Sequence, residues 1–163
     1  MRFNRIALFA GALLVAACGG SETETTDTTT TTPAVTPAPA PGATATGTYM
    51  APTGAEHTVN MVGDAQGYRY EPASLTVKAG DAIKYVMVSG GPHNVAFDAA
   101  TVPEDVKAQL NANMPNSTDM SSPMFMNANE TWTMSTTGVK PGTYTILCTP
   151  HLAMGMKMEL TIQ

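Results

Sequence analysis

A chain of 163 residues is long enough for one ordinary domain. Its formal net charge of −5, with only 13% charged residues, leaves no basic cluster for nucleic acid. Twelve methionines are many for this length; methionine fills cores, and it is also a soft ligand for copper.

In chain order, the first residues read as an export signal. Arg2 and Arg5 form a positive start, and Ile6 to Ala17 is an apolar run too short to span a bilayer stably, ending in small residues. The segment Leu14-Val15-Ala16-Ala17-Cys18 resembles the lipobox of bacterial lipoproteins. That resemblance implies removal of residues 1–17, acylation of Cys18 and attachment to the outer face of a membrane. Gly19 follows where an inner-membrane retention signal would place Asp, which points to an outer membrane where the cell has one. With Cys18 lipidated, Cys148 is the one thiol left, and no intrachain disulfide can form. Residues 18–55 are dominated by Thr, Pro, Ala and Gly, including Thr28 to Thr32 and Pro37 to Pro41. So little to bury predicts a disordered tether.

The folded head is expected over 56–163, with a net charge of −4 and no long charge run. Period-two alternation dominates it. Leu75 and Val77 share a face, as do Ile83, Tyr85 and Met87; Trp132 and Met134; Tyr144, Ile146 and Cys148; and Met156, Met158, Leu160 and Ile162. Turns are expected at Gly63-Asp64, Gly80-Asp81, Gly90-Gly91-Pro92 and Pro141-Gly142. Thr101-Val102-Pro103-Glu104 has the form of a capping box, and Val106 and Leu110 four apart predict one short helix. Seven or eight short strands in this length make an all-β sandwich of two sheets.

The chemistry concentrates in Cys148-Thr149-Pro150-His151-Leu152-Ala153-Met154-Gly155-Met156, a loop joining two strongly patterned strands. A thiol, an imidazole and two thioethers share that loop. A second imidazole, His93, follows a Gly-Gly-Pro turn after another strand. A soft thiolate, two imidazoles and a weak axial thioether are the donors of an electron-transfer copper site. A catalytic thiol with a histidine base, with Asn94 as third member, leaves the methionine spacing unexplained. One thiolate, two imidazoles and a thioether are also a poor zinc set.

Two motifs carry a resemblance to the cupredoxins, the blue-copper proteins of plastocyanin and pseudoazurin type. Pro92-His93-Asn94-Val95-Ala96-Phe97-Asp98 resembles the first-histidine motif of plastocyanins, and Cys148 to Met156 is nearly the ligand loop of pseudoazurins. The resemblance implies a Greek-key sandwich, one type 1 copper held by His93, Cys148, His151 and Met156, and an electron carrier rather than an enzyme. Met154 competes with Met156 for the axial place. Met156 is favoured because the whole nonapeptide then matches without a gap. The matching asparagine, Asn94, is expected to brace the first-histidine strand against the ligand loop.

His57 reads as a strand-end residue without a ligand role. Met114, Met120, Met124 and Met126 read as packing for a long connection, with Cu(I) capture for a copper delivery or storage protein as the alternative. Leu147 replaces the tyrosine that precedes the copper cysteine in plastocyanins, and Asp98-Ala99-Ala100-Thr101 replaces an acidic run. Both departures argue against a photosynthetic cytochrome. The expected partners are c-type cytochromes or copper oxidases and reductases, met by a monomer. They would dock on an uncharged patch of Gly90, Gly91, Pro92, Leu152, Ala153 and Met154 around His151.

Overall fold

The computed structural model describes residues 47–163; the expected signal segment, Cys18 and the tether as far as residue 46 lie outside the described residues. Eight strands form two four-stranded sheets. The first sheet has the order β2-β1-β4-β6, from Gly67–Glu71, Glu56–Asp64, Ala82–Met87 and Thr131–Ser135. The second has the order β3-β8-β7-β5, from Ser74–Val77, Lys157–Ile162, Gly142–Leu147 and Ala96–Phe97. Pairing is antiparallel except for β1 with β4 and β3 with β8, which run parallel.

The alternation in the sequence becomes the core. Met158, Leu160 and Ile162 point inward from β8 while Lys157 and Glu159 stay exposed. Tyr144 and Ile146 join them from β7, facing Val59, Met61, Ile83, Tyr85, Met87 and Met134 of the other sheet. Each large side chain withdrawn from water in this way contributes about 1.5–3 kcal/mol before conformational entropy is set against it.

Two turns differ from expectation. The β1–β2 hairpin turns at Ala65-Gln66, one step beyond Gly63-Asp64, and Asp64 Oδ1 accepts the Gln66 backbone N–H at 2.8 Å. Gly63 stays in β1, opposite Tyr68. The helix α1 spans Glu104–Ala112, with Val106 and Leu110 buried, but no capping box forms. The Thr101 hydroxyl instead donates to the Asp98 carbonyl at 2.9 Å, inside a turn that Asp98 organises, and Pro103 occupies the cap position.

The chain is also held earlier than the boundary expected at residue 56. Thr53 and Gly54 donate backbone N–H groups to the Gly80 carbonyl, both at 2.8 Å, and Ala55 N–H donates to Asp81 Oδ1 at 2.9 Å. Further back, Met50 N–H reaches Asn113 and the Thr48 carbonyl accepts from Gln109. Backbone groups of this uncharged segment, rather than its side chains, make these bonds, so the composition gave no sign of them. The strap crosses the end of the sandwich where β1 and β4 begin.

Candidate metal centre

The opposite end, where β4 and β7 finish and β8 starts, gathers the chemical residues. Period two sets two of them. Cys148 continues the inward face of Tyr144 and Ile146, and Met156 opens the inward face of β8; both are fully buried. Cys148 N–H donates to the Met156 carbonyl at 3.1 Å, which closes the loop between them. Inside that loop Thr149–Met154 forms a short 3-10 turn with Pro150 in its first positions. Gly155, at φ 81°, returns the chain to β8.

His93 arrives from the end of β4. The turn after β4 passes close over β1: a Cβ on Gly90 would lie 2.4 Å from Gly63 Cα, so that position requires glycine. His93 is then fixed on both sides. Its backbone exchanges N–H to carbonyl bonds with Phe125 at 3.1 and 2.9 Å, and its Nε2 lies 2.8 Å from the Ser89 carbonyl. A carbonyl can only accept, so Nε2 carries the proton and the Nδ1 lone pair is free.

Those constraints converge. Cys148 Sγ lies 3.6 Å from His93 Nδ1 and 3.5 Å from His151 Nδ1, and the three donor atoms fall within 4.8 Å of one another. Donors about 2.0–2.3 Å from one shared ion stand roughly 3.3–3.8 Å apart, so both sulfur–nitrogen distances suit a common metal. Among the described residues this is the cluster able to hold an ion. Burial pushes the Cys148 thiol above its ordinary value, with backbone N–H groups of Asn94 and His151 partly opposing it. A thiol raised in this way is a poor catalytic nucleophile. Burial, then the neighbouring His93, pushes His151 below its ordinary value, which favours the neutral, ligating imidazole.

The family model for copper binding proteins of the plastocyanin/azurin family matches residues 57–163. The chain belongs to this family. Plastocyanin A/B of Petroselinum crispum is 36% identical over 105 residues, covering 64% of this chain and 97% of its own length. The plastocyanin of Ulva prolifera is 33% identical over 105 residues, with the same coverage. The oxidized plastocyanin structure from Dryopteris crassirhizoma is 30% identical, with a TM-score of 0.50 over 66% of this chain and all of its own. Membership in a plastocyanin/azurin family, with this donor cluster, makes the site one for a single type 1 copper.

Asn94 ties the site to its surroundings. Its Oδ1 accepts the Thr149 N–H at 2.7 Å, and its Nδ2 donates to Thr149 Oγ1 at 3.0 Å and Ser121 Oγ at 2.9 Å. Its carbonyl accepts the buried Tyr70 hydroxyl at 2.6 Å. Around the centre, Gly91, Pro92, Leu152, Ala153 and Met154 are exposed and Gly90 is half-buried. Met154 is 61% exposed where Met156 is 0%. His151 retains 6% exposure, while His93, Cys148 and Met156 have none.

His57 sits at the strap end of the molecule, where Nε2 lies 2.8 Å from Asp81 Oδ2. The four connection methionines do not behave alike. Met114 and Met120 are buried and pack as expected, whereas Met124 and Met126 are exposed on either side of buried Phe125.

Sequence reasoning missed Tyr68. Its ring stacks on His151 with centroids 3.7 Å apart and planes 15° from parallel. The available signal was Gly63: a glycine inside a strand marks a close approach. Read as a turn, it hid the ring it accommodates.

Proposed function

We propose that this protein carries single electrons between extracytoplasmic redox proteins, on a copper that His93 Nδ1, Cys148 Sγ, His151 Nδ1 and the Met156 sulfur would hold. The observation that carries the reading is the convergence of three buried donors within 4.8 Å at the end of the sandwich where Met156 is also buried. Copper bound there supplies a one-electron couple, and the chain supplies a site that need not rearrange. Hydrogen bonds from His93 to the Ser89 carbonyl, between His93 and Phe125, and from Thr149 N–H to Asn94 Oδ1 hold the first-histidine strand and the ligand loop. Burial keeps water from Cys148.

Burial favours Met156 over Met154 as the thioether that would complete the donor set, since Met154 faces solvent. His151, the one donor that retains any exposure, is the exit for the electron. An uncharged rim of Gly90, Gly91, Pro92, Leu152, Ala153 and Met154 suits a small, short-lived interface. We place the protein on the outer face of a bacterial membrane, anchored through lipid on Cys18 and exchanging electrons as a monomer with c-type cytochromes or copper oxidases and reductases. The exposed Met124 and Met126 favour one competing role, Cu(I) delivery. Loading the protein with copper separates them: reversible one-electron cycling of an intensely coloured protein supports the carrier. A colourless Cu(I) protein that yields its metal to an acceptor supports delivery.

A further inference from the structure

We propose that Tyr68 is a positioning residue that fixes the ring plane of His151, so that the strength of copper binding depends on an aromatic stack supplied by β2. The proposal rests on the copper reading above.

The two histidines are held differently. His93 has a ring hydrogen bond to Ser89 and two backbone bonds to Phe125. His151 stands on the ligand loop, and its backbone departs from helical geometry inside the 3-10 turn, at φ −113° and ψ 18°. Exposed Leu152, Ala153 and Met154 follow it. Its backbone bonds to the Cys148 carbonyl and the Met156 N–H fix the position of its Cα without fixing the rotation of its ring. That rotation is set by Tyr68, stacked at 3.7 Å and 15° on one face, while the His93 ring meets it edge-on at 4.9 Å and 62°.

The chain makes room for this stack. Tyr68 pairs with Gly63 across the hairpin. A Cβ on Gly63 would lie 2.7 Å from Tyr68 Cε1 and 2.8 Å from Gly90 Cα. Only a bare glycine lets the tyrosine lie over β1 and reach His151. Aromatic pairing favours one orientation of the imidazole beyond what apolar burial alone provides, by roughly two- to tenfold in an equilibrium.

The test compares Tyr68→Phe, which keeps the ring, with Tyr68→Leu, which keeps apolar bulk without a ring. Cu(I) affinity is measured by competition with a chromophoric chelator, and the His151 ring protons are followed by NMR in the metal-free and Cu(I) proteins. The leucine variant should bind Cu(I) roughly two- to tenfold more weakly and lose the ring-current displacement of the His151 protons. The phenylalanine variant should match the parent in both. Parent-like affinity and parent-like His151 resonances in the leucine variant overturn the proposal. So does equal weakening in both variants, since the hydroxyl would then carry the effect. Failure of the parent protein itself to bind Cu(I) overturns the copper reading, and the proposal with it.

Discussion

At the scale of single residues, Met156 and Met154 are the sharpest pair. They lie two positions apart, and one is fully buried while the other is 61% exposed. Replacing Met156 with Leu should keep copper bound and raise the reduction potential, because a weak donor to Cu(II) is lost. Replacing Met154 with Leu should leave potential and spectrum unchanged. Voltammetry of the two variants decides the axial assignment, and a shift confined to the Met154 variant reverses it. A second prediction concerns stability. Tyr85 is fully buried, burial pushes its phenol far above the ordinary value, and its hydroxyl has no hydrogen-bond partner among the described residues. An unpaired buried hydroxyl costs about 1–3 kcal/mol, so Tyr85→Phe should stabilise the fold by about 1 kcal/mol in denaturant titration. Destabilisation by that amount would mean that the hydroxyl is satisfied in solution.

At the scale of elements, the strap and the ligand loop hold opposite ends of the sandwich. Asp81 organises the strap end: it is buried and accepts from Lys78 N–H, Ala55 N–H and His57. These bonds, led by the Lys78 backbone N–H and then by His57, hold its carboxyl below the usual carboxylate value. A group depressed by folding contributes stability above its unfolded value, and that contribution is lost as pH falls through the folded value. Thermal melts should therefore fall as the solution is acidified below about pH 4, and the fall should be shallower in Asp81→Asn, which starts from a lower melting temperature at neutral pH. Identical acid profiles would remove Asp81 from that role. The strands were legible because burial imposes period two, as in Met156 to Ile162. The ligand loop was legible because the metal dictates donor type and spacing together. The strap and the stack were not. Bonds from backbone groups leave no trace in composition, and the stack joins Tyr68 to a loop more than eighty residues away in the chain.

At the scale of the whole molecule, the strap lies at one end of the sandwich and the donor cluster at the other. Cys18→Ala should release the protein from membranes without altering its colour, as fractionation and an absorption spectrum would show; membrane association that survives the substitution removes the lipid anchor. A charge placed in the exposed rim, as in Leu152→Glu, should slow electron exchange with a c-type cytochrome by about tenfold, the effect of roughly 1.4 kcal/mol at the centre of a small interface. Its spectrum should stay the same, and stopped-flow mixing reads the rate. The most direct test of the central claim is the visible absorption spectrum of the copper-loaded protein beside that of Cys148→Ser. An intense thiolate-to-copper charge-transfer band in the parent, absent from the serine variant, is the predicted result; a copper-loaded parent without that band, or a band that survives in the variant, contradicts it.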